Sequence, residues 1–200
     1  MNIINEIEKI FSSANLEEAR AEARLLVTEV SGLNLEDILL DKKIENVDKI
    51  YELARRRIEE RIPIQYLIGH SYFMGEKYKV DTSVLIPRDE TEILVKRCAA
   101  LLENKKEKID ILDIGVGSGC ISCALAKKLK NKDIEILGVD INLDAIKVAL
   151  DNIASLDLVR KVILRKSDIF NSVREEEKFD LIVSNPPYIP LKEKNNLQIE

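Results

Sequence analysis

The sequence has no long apolar run: a helix that crosses a bilayer needs about 20 apolar residues, and every run here is far shorter. Its start, MNIINEIEKI, is acidic and amphipathic, without the apolar stretch that signal peptides carry. Cysteine is scarce as well: Cys98, Cys120 and Cys123 are too few and too close together for the disulfide framework of a secreted protein. These absences predict a cytoplasmic protein with reduced thiols and no membrane contact.

An excess of positive charge is also missing. The 200 residues include 31 Lys and Arg against 36 Asp and Glu, a net charge of -5, whereas domains that bind nucleic acid by charge usually have a clear basic excess. We therefore expect no stable nucleic-acid partner, although the charge does not exclude nucleic acid as a substrate. The run Arg55-Arg56-Arg57, with Arg61, has two interpretations. We expect a solvated helix face rather than a contact for an acidic partner.

Several catalytic and metal motifs are absent. The sequence contains no nucleophile elbow, no Walker lysine loop and no HExxH. Cys120 and Cys123 have the spacing of a redox pair or half a zinc site, but no second pair exists, so we expect small buried residues in a helix. His70, the only histidine, has no partnered cysteine or carboxylate pattern, which favours a structural role. No metal is expected.

Two segments precede the region that carries the motifs. Residues 1–69 show apolar residues at helical spacing, which predicts a small domain of bundled helices. Over residues 70–88 the pattern changes to two short strand-like runs around Met74-Gly75, which predicts a β-hairpin linker.

Residues 89–200 alternate between helical and strand-like patterns. Asp89 and Glu92 have the spacing of a capping box and predict the start of a helix. Short runs rich in Ile, Leu and Val follow, separated by helical patterns near 118–129 and 142–154; these runs lie at 109–115, 134–140, 162–166 and 179–185. Such runs are typical of parallel strands buried on both faces, so the sequence predicts a doubly wound α/β sheet that binds ligands beyond the carboxyl ends of its strands.

The first of these strands ends in a glycine-rich loop. The loop and the residues that enter it are Asp113, Ile114, Gly115, Val116, Gly117, Ser118 and Gly119. Alternating glycines let backbone amides approach a ligand at a helix N-terminus. The spacing is GxGxG rather than the GxGxxG of dinucleotide-binding loops, and the Asp113 charge would repel a pyrophosphate. A nucleoside with an amino group and a sulfonium therefore suits the loop better than NAD, and a tight turn without a ligand is the alternative.

Carboxylates follow the next two strands. Asp140 comes 25 residues after Gly115 and can accept hydrogen bonds from both hydroxyls of a ribose. A helix cap or a solvated charge is the alternative for Asp140. After the third strand, Asp168 could accept from an adenine amino group, and Ile169 could cover the ring.

The fourth strand ends in Asn185-Pro186-Pro187-Tyr188, the sharpest signal in the sequence. Consecutive prolines fix the backbone and remove two N–H donors, so nearby carbonyls are left as unshared acceptors. Asn185 adds a side-chain carbonyl and Tyr188 a flat face. Together they predict a receptor for a planar group that carries an NH2. A rigid proline turn would explain the prolines but neither Asn185 nor Tyr188.

With these motifs the sequence resembles S-adenosylmethionine-dependent methyltransferases, in which DIGVGSG would be the cofactor loop and NPPY the amino-group receptor. Methyltransferases with NPPY-type motifs act on nitrogens of adenine, cytosine or glutamine. The stretches PIQYLIG at 63–69, FMG at 73–75 and VLIPRDETE at 84–92 narrow the resemblance to the family of protein-glutamine methyltransferases that modify peptide chain release factors. Asp89 departs from this family, which commonly has a proline there.

The resemblance implies a Rossmann-like class I methyltransferase sheet, with S-adenosylmethionine held by the loop, Asp140, Asp168, Ile169 and Asn185. It implies that NPPY binds the glutamine of a GGQ tripeptide in a release factor, and that residues 1–69 dock this protein partner. Family members extend well beyond NPPY, so the resemblance also implies that 89–200 is a partial methyltransferase domain, truncated at the C-terminus. The alternatives are a nucleic-acid adenine amino methyltransferase and a non-catalytic module that binds cofactor or partner.

Overall fold

The computed structural model describes residues 2–40 and 42–186. The chain divides between Gly69 and His70 into two compact units. Among the described residues, every helix is too short or too polar to span a bilayer.

The first unit consists of short helices, as the helical spacing predicts. They are α1 (Ile3–Ser13), α2 (Ala19–Ser31), α3 (Leu35–Leu39), α4 (Val47–Glu59) and α5 (Ile64–Ile68). Asn2 begins α1, because its side-chain oxygen accepts a hydrogen bond from the Asn5 amide at 3.1 Å. The apolar faces meet in one core around Ile7 and Phe11, both fully buried. The structure confirms the predicted helical region.

The arginine run on α4 is not a uniform solvated face. Arg55 is exposed and Arg56 is half-buried, and they pair with Glu59 and Glu60 one turn later, at 3.0 Å each. Arg57 instead lies inside the unit with only 5% of its surface exposed. Its guanidinium donates two hydrogen bonds to Glu22 of α2, at 2.7 and 2.8 Å. The expectation of a solvated face is therefore wrong for Arg57, because a carboxylate 35 residues earlier compensates its burial.

The second unit opens with the predicted hairpin. Strand β1 (His70–Phe73) pairs antiparallel with β2 (Glu76–Lys79), and the turn between them places Met74 and Gly75 at positive φ, 50° and 80°. Helix α6 (Asp89–Leu102) follows.

The capping box predicted for α6 is wrong. Arg88 is the N-cap residue and has no side-chain cap hydrogen bond. Glu92 does not bond back to the start of its own helix. Its carboxylate accepts a hydrogen bond from the Met74 amide of the hairpin turn at 3.0 Å and another from Lys96 at 2.9 Å. A donor distant in sequence thus replaces the local one, and Glu92 fixes the hairpin turn to α6.

The rest of the second unit is a parallel sheet with helical crossovers. Its elements are β3 (Ile109–Ile114), α7 (Cys120–Lys128), β4 (Ile134–Asp140), α8 (Leu143–Ser155), β5 (Val162–Lys166) and β6 (Leu181–Ser184). Among the described residues the strand order is β5-β4-β3-β6, and all neighbours are parallel. The chain therefore reverses its direction of winding after β5, with β6 on the far side of β3. This confirms the predicted α/β class.

Burial differs between the central and outer strands. One face of the sheet packs against the helices through residues such as Ile111 and Ile136, which are fully buried. The other face holds a smaller cluster around Leu112. On the outer strands, Ile163 and Ile182 are about half exposed, at 48% and 53%. The expectation of strands buried on both faces is thus correct for β3 and β4 and wrong for β5 and β6, because each of these has a strand neighbour on one side only among the described residues.

The buried pair of the first unit generates a stability prediction. Glu22→Ala leaves the Arg57 guanidinium buried without its partner, and we expect the free energy of unfolding to fall by about 3–5 kcal/mol. Glu59→Ala is the matched control, because it removes the exposed partner of Arg55 and should have a small effect. Urea denaturation followed by circular dichroism measures both. Equal effects of the two variants would contradict a structural role for the Glu22–Arg57 pair.

Candidate active site

The glycine loop joins β3 to α7, and its backbone is held by the end of β4. The amides of Gly115 and Val116 both donate to the Val139 carbonyl, at 2.8 and 2.9 Å. The Gly117 amide donates to the Asp140 side chain at 3.0 Å, and the Gly119 amide donates to the Val116 carbonyl at 2.8 Å. These four amides are therefore already bonded within the protein, whereas a phosphate-binding loop presents such donors to its ligand.

Glycine is needed at two positions of the loop, for its backbone conformation and for the space it leaves. Gly115 has φ +74°, and a Cβ built on it would have no atom within 4 Å, so the loop leaves open space at this point. Gly119 has φ +80°, and a Cβ there would lie 3.3 Å from the Cβ of Ala149 on α8. The first glycine thus gives room for a ligand, and the last lets α8 approach the loop.

Asp113 lies one residue before the end of β3 and is fully buried. One carboxylate oxygen accepts a hydrogen bond from the Ser122 hydroxyl at 2.6 Å, while Oδ1 is buried without a partner among the described residues. Burial raises the pKa of Asp113 from its usual 3.8 to about 6, an effect that the hydrogen bond from Ser122 only partly offsets. A ligand outside the loop does not contact this side chain directly, so an attraction for a cation would act through the electric field across the loop.

Asp140 ends β4 and organises the site through both of its carboxylate oxygens. One accepts from the Gly117 amide at 3.0 Å and the other from the Asn142 amide at 2.9 Å. The alternative of a helix cap is wrong for Asp140, because Asn142 is the N-cap residue of α8. Each carboxylate oxygen of Asp140 can accept more than one hydrogen bond, so both keep the capacity to bind a ligand. The contact with a ribose stays a prediction.

Sequence reasoning missed Asn152, which connects the loop to the hairpin. Its side chain is 2% exposed within α8. The amide nitrogen donates to the Ser118 carbonyl of the loop at 2.8 Å and to the Lys79 carbonyl of β2 at 3.0 Å, while its oxygen accepts from the Lys79 amide at 2.7 Å. The available signal was a polar residue on the apolar stripe that Ala145 and Val148 define at helical spacing.

The end of β5 lies next to the end of β4, because the Ser167 amide donates to the Asp140 carbonyl at 2.9 Å. Asp168 and Ile169 follow and are both exposed. Ile169 has φ +47°, a conformation that costs a β-branched residue about 1–2 kcal/mol. The Ser167 hydroxyl donates to the Ile169 carbonyl at 2.9 Å and holds this turn. An apolar side chain is thereby exposed beside the carboxyl ends of the sheet.

Asn185 and Pro186 follow β6 directly; Pro187 and Tyr188, the other two residues of the predicted receptor, lie outside the described part of the chain. The Ser184 hydroxyl donates to the Ile114 carbonyl at 2.8 Å, which places Asn185 next to the start of the glycine loop. The Asn185 amide nitrogen donates to the Thr91 hydroxyl oxygen at 3.0 Å. No described residue donates to its Oδ1, so the side-chain carbonyl keeps its capacity to accept.

The charge and the space around the loop suit a nucleoside that carries a sulfonium group. Four of the five loop amides are already bonded within the protein, and the missing Cβ of Gly115 leaves space for a ligand. A buried carboxylate oxygen of Asp113, without a partner among the described residues, adds negative charge beside the loop. A Rossmann-like sheet with this loop, and with Asn-Pro after a neighbouring strand, defines the class of S-adenosylmethionine-dependent methyltransferases. Residues 90–199 match the family described as the methyltransferase small domain, and residues 2–69 match the PrmC N-terminal domain. The predicted class and its cofactor are confirmed.

Three curated relatives identify the family within this class. Each is named release factor glutamine methyltransferase. The relative from Fusobacterium nucleatum is 43% identical over 79% of this chain and 44% of its own length. Those from Rhodopirellula baltica and Chlorobaculum tepidum are 33% and 34% identical over 98% and 95% of this chain, and over 68% and 67% of their own lengths. The chain therefore belongs to the release factor glutamine methyltransferase family and spans about half to two thirds of the length of these relatives.

The burial of Asp113 generates a prediction on pH. Its raised pKa means that the folded state keeps a proton that the unfolded state loses as the pH rises from about 4 to 6, so this carboxyl lowers the free energy of unfolding over that range. Asp113→Asn cannot ionise and should gain on the order of 2–3 kcal/mol relative to the unchanged protein between pH 4 and 7. Urea denaturation at several pH values measures the difference. Asp133→Asn, at an exposed position, is the control. If the free energy of unfolding of Asp113→Asn changed with pH in the same way as that of the unchanged protein, the prediction would be refuted.

The strained backbone of Ile169 allows a second test. Ile169→Gly relieves the positive φ and removes the apolar side chain, so we expect stability to be equal or up to about 1 kcal/mol higher, and the dissociation constant for S-adenosylmethionine to rise roughly 10-fold. Ile169→Ala removes the side chain but keeps the strain, so it should lose affinity without gaining stability. Calorimetry and thermal denaturation separate the two effects. Unchanged affinity in both variants would show that Ile169 does not contact the cofactor.

Proposed function

We propose that this protein transfers a methyl group from S-adenosylmethionine to the side-chain amide nitrogen of the glutamine in the GGQ motif of peptide chain release factors. Family membership supports the reaction class. The observation that carries the proposal within this chain is the state of Asn185: it lies next to the glycine loop, its NH2 group is bonded to Thr91, and none of the described residues donates to its carbonyl oxygen. Such an oxygen is suited to accept a hydrogen bond from a carboxamide NH2.

The cofactor is held at the carboxyl ends of the strands. We assign the ribose hydroxyls to Asp140 and the adenine to Asp168 and Ile169, whose side chains follow neighbouring strands. The loop from Gly115 to Gly119, with the buried charge of Asp113 behind it, is assigned to the amino and sulfonium end. S-adenosylmethionine, when bound, supplies an electrophilic methyl group.

The chain's contribution to the reaction is mainly orientation. A carboxamide nitrogen is a weak nucleophile, because its lone pair is delocalised into the carbonyl. The Asn185 side-chain oxygen and the Pro186 carbonyl accept the two amide hydrogens of the substrate and fix the direction of its nitrogen. The same two acceptors stabilise the positive charge that develops on the NH2 group. No strong general base is required before transfer, since the nitrogen becomes acidic only once it is methylated. Tyr188 is assigned to pack against the amide plane.

The first unit is assigned to docking of the release factor. Residues 2–69 match a domain that accompanies this methyltransferase family. The arginine run is a poor candidate for the contact: Arg57 is buried on Glu22, and the charges of Arg55 and Arg56 are each balanced by a glutamate one turn away. A cytoplasmic location, without a stable nucleic-acid or membrane partner, completes the proposal; the three free cysteines, all buried or half-buried, support it.

Asn185→Ala tests the proposed acceptor. It removes the side-chain carbonyl, so we expect the rate of methyl transfer to a release factor to fall by about 100- to 1,000-fold, while the dissociation constant for S-adenosylmethionine changes little. Transfer of a labelled methyl group and calorimetry give the two numbers. Asn104→Ala, at an exposed position after α6, is the control. Wild-type transfer by Asn185→Ala would disprove the role of this residue.

The same transfer assay tests the substrate. Release factor, DNA and RNA are offered separately, and we expect methyl transfer to the release factor alone. Methylation of DNA or RNA in preference would establish the nucleic-acid alternative instead. Cofactor binding without transfer to any of the three would establish a non-catalytic binding module.

A further inference from the structure

The first turn of α6 contacts the proposed receptor for the substrate amide. Thr91 is 7% exposed, and its hydroxyl oxygen lies 3.0 Å from the Asn185 side-chain nitrogen. The two residues are 94 positions apart in the chain. A buried threonine in the first turn of a helix is not required for capping here, because the N-cap residue is Arg88. The hydroxyl therefore has a partner on another element of the site.

The position of Thr91 is fixed from two sides. Its own amide donates to the Arg88 carbonyl at 3.0 Å, which closes the first turn of α6. The next residue, Glu92, accepts the Met74 amide of the hairpin turn at 3.0 Å. The start of α6 is thus attached to the hairpin, and the Thr91 hydroxyl is held at a defined place.

A fixed hydroxyl matters because the asparagine side chain has two nearly isosteric ends. Rotation by half a turn about its last side-chain bond exchanges C=O and NH2, and the two orientations fit the same space. Only one of them presents an acceptor to the substrate NH2; the other presents a donor to a donor. In the structure the Thr91 hydroxyl accepts from Nδ2, and this contact leaves Oδ1 as the end that faces away from Thr91.

We infer that Thr91 is a positioning residue, which holds Asn185 with its carbonyl oxygen toward the glutamine NH2. This inference rests on the proposed function, because it assigns the other end of Asn185 to the substrate. The assignment gives two neighbouring residues separate parts: Thr91 orients Asn185, and Glu92 fixes the helix that carries Thr91.

Thr91→Val and Thr91→Ser provide the test. Valine keeps the shape and removes the hydroxyl, so we expect kcat for release factor methylation to fall roughly 10-fold, with KM and the dissociation constant for S-adenosylmethionine within about 2-fold of the unchanged protein. Serine keeps the hydroxyl and should restore most of kcat. Thr82→Val removes an exposed hydroxyl and is the matched control.

A spectroscopic readout makes the test independent of turnover. The side-chain NH2 signals of Asn185 in a nitrogen–proton NMR spectrum are assigned by their loss in Asn185→Asp. We expect them to shift, and their hydrogens to exchange faster with water, in Thr91→Val but not in Thr91→Ser. The Met74 amide signal should stay in place in both, which shows that the start of α6 is intact.

The outcomes separate the two proposals. Unchanged Asn185 signals, or an unchanged kcat, in Thr91→Val would overturn the role of Thr91. Failure of serine to restore both readouts would overturn it as well, because a loss through packing does not depend on the hydroxyl. Absence of methyl transfer by the unaltered protein would count against the proposed function, and the Asn185 signals would then decide on their own whether Thr91 orients that side chain.

Discussion

The site depends on the place of β3 between β4 and β6. Parallel pairing on both sides brings three strand ends to one edge of the sheet, so residues far apart in the chain become neighbours. The Val139 carbonyl on one side receives two amides of the glycine loop, and on the other side the Ser184 hydroxyl reaches the Ile114 carbonyl. Without this pairing the cofactor loop and Asn185 would have no fixed relation. The order of the strands therefore determines the distance between the glycine loop and Asn185.

Within this frame the glycine loop offers a ligand its shape and a nearby charge, because most of its amides are bonded inside the protein. Four of its five amides are bonded to Val116, Val139 and Asp140, and the buried carboxylate of Asp113 lies in the strand that enters the loop. A dinucleotide-binding loop has the opposite design, with free amides and a helix N-terminus directed at phosphate. Two features of the sequence distinguish the loops: the spacing GxGxG in place of GxGxxG, and the acidic side chain of Asp113. This difference is consistent with the proposal that this loop takes a cationic ligand where a dinucleotide-binding loop takes an anionic one.

Local pattern was sufficient to predict the helices, the strands and the residues at the strand ends, because periodicity and strand-end position are properties of short segments. Contacts between distant segments were not predictable in this way. Glu92 has the spacing of a capping residue, yet it bonds to Met74, and Arg57 lies in a basic run, yet it is buried on Glu22. The positive φ of Ile169 depends on a hydrogen bond from Ser167 that only the folded turn supplies. For Glu92 and Arg57 a partner elsewhere in the fold overrides the local preference, whereas for Ile169 the partner lies two residues away.

The hairpin is joined to both halves of the site. Its turn is held by Glu92, on the helix whose Thr91 contacts Asn185, and its second strand is held by Asn152, which also bonds to the Ser118 carbonyl of the loop. The segment expected to act as a linker is therefore part of the frame of the second unit. A folded protein loses stability when a buried amide or hydroxyl lacks its hydrogen-bond partner. Breaking these contacts is therefore costly, and a frame built from them is rigid. The proposed reaction depends on such rigidity, because the carboxamide nitrogen of the proposed substrate is a weak nucleophile that must be held in position.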